Sequence, residues 1–295
     1  MKTIDAQVIY RTQAIVGEGS LWDHDNQRLL WVDILAHKIY AFDPKTKSNM
    51  GFDIGQDVGT VVLTESGLWA FADQDGIGYL NPKTGKIKSG PKPEVNSPNV
   101  RFNDGKCDPR GNLWAGTMAY DVSEGAGTLY EFDSLGGVNK KIERCTISNG
   151  LVWSSDRTKF YFIDSPTYVI HQYDYDEFTG EISNKKVVAG ISKEIGLPDG
   201  MVIDSEDHLW VALFYGGKVI RIDPKTGKIV YEVALPVPNI TSCAFGGEDL
   251  DELYITTASH MMDKEGLEKY PLSGSLFRVK VPFKGVLPHK MKNHF

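Results

Sequence analysis

The sequence predicts an all-β protein, a six-bladed β-propeller of four-stranded blades whose ring is closed by the N-terminal strand. Three features of the 295 residues predict this fold: an aromatic strand motif that occurs six times, a turn motif that recurs between neighbouring strands, and a surplus strand before the first repeat. Four-stranded units that repeat about every 45 residues are typical of propellers. No stretch has the sustained 3.6-residue apolar period of a long helix, so strands are expected to carry the fold.

Each repeat contains an aromatic residue inside a short apolar strand. A polar turn follows, and then a second strand in which apolar and polar residues alternate. The six aromatic positions are Trp31, Trp69, Trp114, Phe162, Trp210 and Tyr254. The loops between the copies vary while the strands stay regular, as expected when each copy is one blade.

The turn motif supports the same interpretation. Residues 43–46, 81–85 and 223–227 are near copies that open with Asp-Pro or Asn-Pro, and residues 176–180 are a looser version. In such a turn the Asx residue caps the backbone, Pro presets φ, and Gly takes the left-handed position. Each predicted blade therefore has an innermost strand, the aromatic strand and an outer hairpin.

The two ends of the chain are predicted to complete each other. The sixth repeat ends with its third strand at residues 274–281, and residues 7–11 form a surplus strand before the first repeat. Pairing these two strands would close the ring and cover two edges that otherwise invite aggregation. No linker, charge block or low-complexity run divides the chain, so residues 1–295 are predicted to form a single propeller domain. Residues 89–93 and 263–267 are predicted to be exposed excursions from it.

Four repeats place an oxygen-bearing side chain at one equivalent position, four residues before an apolar residue: Glu18, Asn103, Asn149 and Asp199. The innermost strand of each propeller blade lines the central channel, so equivalent positions at the start of these strands converge on the axis. We expect Glu18, Asn149 and Asp199 to bind one divalent metal ion there. Oxygen donors suit Ca²⁺, Mg²⁺ or Mn²⁺ better than a structural Zn²⁺. Three protein ligands would leave positions open for water and substrate.

The alternative interpretation of these positions is purely local. Asn-Gly and Asp-Gly are the commonest turn dipeptides, and each one taken singly predicts a turn. Their recurrence at one position of several repeats favours a shared site, because turns alone need not recur at one place in a blade. Of the histidines, His260 in a loop of the sixth repeat is the one that could reach the channel.

The composition limits the kinds of partner. A formal net charge of −7 argues against nucleic acid or an anionic membrane as partner. No apolar run approaches the ~18–20 residues of a membrane span, and residues 1–7 lack the apolar core of a signal peptide. Cys107, Cys145 and Cys243 have no metal-binding spacing, and they are interpreted as reduced, packed thiols of a cytoplasmic protein. We expect a small-molecule partner, and a monomer or weak homodimer.

Five blocks of the chain, at residues 17–19, 101–106, 147–151, 198–200 and 241–247, carry a family resemblance. In these blocks, and over essentially its whole length, the sequence resembles the family of senescence marker protein (regucalcin), gluconolactonase and luciferin-regenerating enzyme, with regucalcin nearest. The resemblance implies a six-bladed propeller with one divalent ion on its axis, Ca²⁺, Zn²⁺, Mn²⁺ or Mg²⁺. It implies that Glu18, Asn149 and Asp199 are the metal ligands and that the protein hydrolyses sugar lactones such as gluconolactone.

The resemblance also implies the substrate contacts. Arg101 and Asn103 would hold substrate hydroxyl groups. Asp121 stands where regucalcin carries a glutamate, in a loop that helps to bind substrate. The shorter side chain at this contact is expected to affect sugar preference.

The reaction expected from these residues is metal-dependent opening of a lactone by water. The metal would polarise the carbonyl group, and Asp199 is the expected general base, with Glu18 as the alternative. Two other functions stay open. One is a calcium-binding regulatory or scaffold propeller, for which an exposed apolar rim would be the distinguishing feature. The other is hydrolysis of a non-sugar substrate by the same site.

Overall fold

The protein is a six-bladed β-propeller. The structure is a computed structural model that describes residues 2–93 and 99–292. Six antiparallel sheets stand in a ring, and each contributes one innermost strand that contacts the innermost strands of the two neighbouring blades. The fold class predicted from the repeats is confirmed.

Every blade runs outwards in chain order, except that the fifth and sixth blades obtain their outermost strands from the N-terminal segment. The strands are β1 (Lys2–Asp5) and β2 (Gln7–Tyr10); β3 (Gly17–Asp23), β4 (Arg28–Asp33), β5 (Lys38–Asp43) and β6 (Ser48–Asp53) of blade one; β7 (Val58–Leu63), β8 (Trp69–Asp73), β9 (Ile77–Leu80) and β10 (Ile87–Ser89) of blade two; β11 (Val100–Cys107), β12 (Leu113–Ala119), β13 (Gly127–Phe132) and β14 (Val138–Cys145) of blade three; β15 (Ser148–Trp153), β16 (Lys159–Asp164), β17 (Val169–Tyr175) and β18 (Ile182–Gly190) of blade four; β19 (Leu197–Ile203), β20 (Leu209–Phe214), β21 (Lys218–Asp223) and β22 (Lys228–Ala234) of blade five; and β23 (Ile240–Gly246), β24 (Glu252–Thr257) and β25 (Leu276–Lys280) of blade six.

The repeated aromatic residues form the core between the blades. All six lie in or beside the second strand of a blade, and each is at most 2% exposed. Large rings fill the space between two twisted sheets with few side chains, and burying one typically stabilises a fold by a few kcal/mol. The three cysteines are also buried and form no disulfide, as predicted.

The N-terminal strand closes the ring as predicted. Strand β2 pairs antiparallel with β25, with Val8 opposite Phe277, and becomes the outermost strand of blade six. Strand β1 was not predicted. It pairs in parallel with β22, with Ile4 opposite Val233, and adds a fifth strand to blade five. Residues 2–10 therefore join two blades.

Deleting residues 1–12 is expected to cause aggregation or a large fall in melting temperature. The deletion exposes the edges of β25 and β22, and open sheet edges pair with other chains. Deleting residues 1–5 is the matched control, because it removes β1 and keeps β2. We expect this shorter deletion to have the smaller effect when thermal unfolding and light scattering are measured. A monomeric 1–12 deletion with an unchanged melting temperature would show that the closure is dispensable.

Of the two predicted excursions, residues 89–93 follow from the outermost strand of blade two, and residues 263–267 lie in the loop between β24 and β25. Strand β10 ends at Ser89 and is exposed, and residues 263–267 begin a short helix, α1 (Lys264–Lys269). The Asp263 side chain caps α1 by accepting a hydrogen bond from the Gly266 backbone N–H. Short 3₁₀ turns lie at Ser165–Thr167 and Lys193–Ile195. Within residues 2–93 and 99–292, no helix is long and apolar enough to cross a membrane.

The C-terminal segment lies across one end of the channel, which we call the lower end. The backbone N–H of Gly285 donates to Leu250 O, and the N–H of Met291 donates to Leu63 O, both at 2.8 Å. The segment therefore passes from blade six to blade two. Residues 286–289 line a small cavity at the ends of the innermost strands. The other, upper end, where these strands begin, is the open side of the channel.

Candidate active site

All six innermost strands share an irregularity at the same place. In each strand the antiparallel register shifts close to its start, at the β-bulges Glu18/Leu21, Val58/Thr60, Phe102/Gly105, Asn149/Leu151, Pro198/Met201 and Ile240/Ser242. A bulge interrupts the alternation of a strand and re-aims the side chains around it. The repeated position found in the sequence is therefore a ring of bulges around the upper end of the channel.

The Asn-Gly and Asp-Gly pairs at this position are not turns. Asn149-Gly150 lies inside β15, and Asp199-Gly200 lies inside β19. A Cβ atom on Gly150 would lie 2.7 Å from the carbonyl oxygen of Asp199 in the neighbouring blade. Glycine at this position therefore lets adjacent innermost strands approach, and the local turn interpretation was wrong.

The bulges bring five of the six predicted site residues into one cavity. The cavity has a volume of about 330 Å³ and opens at the upper end of the channel. Its predicted members are Glu18, Arg101, Asn103, Asn149 and Asp199, and each is at most 9% exposed. Ser165, Thr241 and His260 line the same cavity, so His260 does reach the channel.

Asp121 is the predicted residue that lies outside this cavity lining. It is exposed, and its carboxylate accepts hydrogen bonds from the backbone N–H and the hydroxyl group of Ser123 at 3.2 and 2.8 Å. These bonds lower the pKa of Asp121. A substrate contact from Asp121 stays a prediction that would require its loop to move.

A chain of hydrogen bonds links the polar residues across three blades. Arg101 Nη1 donates to Asn103 Oδ1 at 2.8 Å, and Asn103 Nδ2 donates to Asn149 Oδ1 at 2.9 Å. Asn149 Nδ2 donates to Ser165 Oγ at 2.8 Å, and Ser165 Oγ donates to the Pro198 carbonyl oxygen at 2.6 Å. The chain ends one residue before Asp199. It fixes the orientation of both amides, which line the same cavity as the carboxylates.

The two carboxyl groups of the cavity form a close buried pair. Glu18 and Asp199 share a hydrogen bond, and burial raises the pKa of Glu18 to about 8. Burial and the neighbouring Glu18 charge raise the pKa of Asp199 well above its usual range. Asp104 lies close by, is 2% exposed, and has one carboxylate oxygen without a hydrogen-bond partner in the described chain. Such a cluster needs either shared protons or a cation to balance its charge.

The residues present fit a divalent cation. Two carboxylates and one amide are hard oxygen donors. Asn149 Oδ1 accepts one hydrogen bond from Asn103 and keeps a second lone pair. Over residues 2–93 and 99–292, no group of three or more His, Cys, Asp or Glu side chains is arranged to hold a metal. The predicted ligands, Glu18, Asn149 and Asp199, contain only two residues of those four types, because the third is an asparagine amide.

A second hydrogen-bonded group at the mouth was missed by sequence reasoning. Buried Asp57 accepts a hydrogen bond from the Tyr120 hydroxyl at 2.6 Å and contacts His37 Nε2 at 2.9 Å. Burial and this bond raise the pKa of Tyr120 to about 12. The three residues come from three different blades, and none belongs to a repeated motif. Only the folded ring brings them together, and it places Tyr120 in the cavity lining next to Asp121.

The family of the chain follows from its matches to known proteins. Residues 16–259 match the family described as the SMP-30/Gluconolactonase/LRE-like region, and the chain belongs to this family. A Bacillus subtilis protein named "Putative sugar lactone lactonase YvrE" is 37% identical over 97% of this chain and 98% of its own. Regucalcin of Danio rerio is 39% identical over 98% of this chain and 99% of its own.

A solved structure confirms the architecture of the whole chain. It is that of regucalcin from Agrobacterium tumefaciens, described as a calcium-binding protein. The two chains are 26% identical, with a TM-score of 0.93 and coverage of 98% of this chain and 99% of the other. The resemblance that the sequence blocks indicated is thereby confirmed.

Proposed function

We propose that this member of the SMP-30/gluconolactonase/LRE-like family is a hydrolase that opens lactones with the help of one divalent cation. The observation that carries the proposal is the buried Glu18–Asp199 pair, which lies with the Asn149 amide at the bottom of an open cavity. A buried pair of acids with raised pKa values in a cleft is typical of functional sites. The family supports a lactonase, and the name of the Bacillus relative supports sugar lactones as the substrate class.

Glu18, Asn149 and Asp199 are the proposed ligands of the cation. When bound, the cation would supply charge stabilisation for the oxyanion of the opening lactone. The calcium-binding description of the Agrobacterium structure supports Ca²⁺ as one candidate, beside Zn²⁺, Mn²⁺ and Mg²⁺.

The chain's own residues would divide the remaining work. Arg101 offers a planar set of donors at the edge of the cavity, and Asn103 holds Asn149 in place. Asp199 is the proposed base that takes a proton from the attacking water, because it is a carboxylate in the cavity that could reach a water bound beside it. A new bond forms between the water oxygen and the carbonyl carbon. The ring C–O bond then breaks, and the proton moves from Asp199 to the leaving oxygen.

Removing divalent cations is expected to abolish lactone hydrolysis, and adding Ca²⁺, Mn²⁺, Zn²⁺ or Mg²⁺ should restore it at different rates.

The stability of the metal-free protein should fall as pH rises from about 5 to 8. The folded protein holds protons on Glu18 and Asp199 there, while the unfolded chain has released them. A cation replaces those protons, so it should raise the melting temperature more at pH 8 than at pH 6.

The matched control for this experiment is Glu65→Gln. Glu65 is an exposed acid in the turn between β7 and β8, at the lower end of the channel. The Glu65→Gln variant should keep the cation-induced rise in melting temperature, and Asp199→Asn should lose most of it. Full lactone hydrolysis by a preparation shown to be free of metal would rule out the proposed role of the cation.

A further inference from the structure

We propose that the preferred substrate carries an apolar substituent on its lactone ring, which packs against an apolar collar at the mouth of the cavity. The collar consists of Val122, Tyr215 and Met261. This inference rests on the proposed lactone hydrolysis and names the substrate class more closely. It assigns the lactone ring to the polar floor of the cavity and the substituent to the collar.

The collar residues are exposed although they are apolar. Val122, Tyr215 and Met261 are 44%, 57% and 70% exposed. They come from the upper loops of blades three, five and six, and all three line the cavity whose floor holds Glu18 and Asp199. Single exposed apolar residues are ordinary. Three that line one cavity make its mouth apolar, and exposed apolar groups gathered at a cavity are typical of binding sites.

The backbone of the collar supplies an independent observation. Val122, Tyr215 and Met261 each have a left-handed conformation, with φ of 57°, 64° and 63°. Left-handed positions suit Gly and disfavour large side chains, above all a β-branched valine. At the mouth of the cavity the chain therefore carries three apolar side chains at positions where glycine or asparagine would be less costly.

Other parts of the cavity wall are apolar as well. Met118, Ile147, Leu197 and Phe214 line the same cavity as the collar and the polar residues. Phe214 packs edge-on against Tyr215, with ring centroids 4.6 Å apart. A lactone whose every carbon carries a hydroxyl group would leave this wall without an apolar partner and would place hydroxyl groups against it. A lactone with an apolar substituent would place its polar ring against the polar residues of the cavity and its substituent against the apolar side chains.

The test compares two lactones with the same six-membered ring, δ-valerolactone and δ-decalactone, which differ by a pentyl chain. Each methylene group that is fully buried should improve kcat/KM by up to ~3- to 4-fold. We therefore expect δ-decalactone to be preferred by at least roughly tenfold. Gluconolactone, whose ring carries only hydroxyl and hydroxymethyl groups, is measured beside them as the polyhydroxylated substrate.

The variants Tyr215→Asn and Met261→Asn test the collar without disturbing the turns, because Asn tolerates the left-handed conformation. Each should reduce the preference for δ-decalactone over δ-valerolactone, mainly through KM for the longer substrate. Leu135→Ser is the matched control. Leu135 is an exposed apolar residue of the β13–β14 turn, outside the cavity lining, and its replacement should leave the ratio unchanged.

The outcomes separate this inference from the proposed function. If both lactones are hydrolysed equally well, or if the collar variants keep the wild-type ratio, the inference is wrong and lactone hydrolysis stands. If no lactone is hydrolysed with any of the divalent ions, the proposed function fails and the inference fails with it. If the preference is absent, and the wild type self-associates or binds another protein through the collar while the Asn variants do not, the collar is a protein contact. That result would overturn the inference and favour the regulatory alternative.

Discussion

Asp199→Asn is expected to lower kcat for lactone hydrolysis by ~10²–10⁴-fold, the usual contribution of a positioned general base. The substitution keeps the size of the side chain and one oxygen donor. Asp199 lies in the bulge of β19 beside Gly200, and the bulge depends on the backbone rather than on the charge. The fold should therefore persist, and the remaining ligands should retain some cation at a lower affinity. Steady-state kinetics, metal content and melting temperature are to be measured on the same preparation.

Asp104→Asn is the matched comparison for the loss of a buried negative charge. Asp104 is as deeply buried as Asp199 and raises the pKa of both Glu18 and Asp199. Replacing it should lower those two pKa values and shift the acid limb of the pH–rate profile to lower pH, with a smaller loss of kcat. If Asp199→Asn keeps normal turnover with metal bound, Asp199 is not the base and Glu18 takes that role.

The arrangement of the blades could be predicted because the same kinds of residue recur in every blade. Each repeated aromatic residue packs in the core between blades, and six of them at similar spacing indicate six blades. The site positions followed from the same periodicity, since Glu18, Asn149 and Asp199 occupy equivalent places in three copies. Their convergence on one cavity needed no knowledge of the loops.

The features that were missed depend on contacts between different blades or on single loops. The parallel pairing of β1 with β22 involves four residues whose side chains carry no signal for their partner. Asn149-Gly150 and Asp199-Gly200 look like turns when they are read locally. Only the folded ring shows both pairs at bulges inside strands, with Gly150 close to Asp199 of the next blade. The substrate contact of Asp121 stays a prediction, since its carboxylate is exposed and bonded to Ser123 while its neighbours Tyr120 and Val122 line the cavity.

Arg101→Met is expected to raise KM by roughly ten- to a hundredfold, because a hydrogen bond to a charged group contributes ~1.5–3 kcal/mol and ~1.4 kcal/mol corresponds to a factor of ten. Methionine keeps much of the buried aliphatic stem of Arg101, which is 9% exposed, and removes the guanidinium group. A residue that only holds substrate in the ground and transition states alike would change KM and leave kcat intact.

The structure gives Arg101 a second role that kinetics can separate. Its Nη1 donates to the Phe102 carbonyl oxygen and to Asn103 Oδ1, and Asn103 in turn holds the Asn149 amide. Arg101→Met should therefore lower kcat as well. Its effect should not add to that of Asn103→Ala, because residues of one hydrogen-bond network typically couple by ~0.5–3 kcal/mol. A double-mutant cycle on kcat, with metal content measured for each variant, gives the coupling. If Arg101→Met leaves kcat unchanged and its effects add to those of Asn103→Ala, Arg101 contacts only the substrate. If Arg101→Met leaves KM unchanged, the substrate lies elsewhere in the channel.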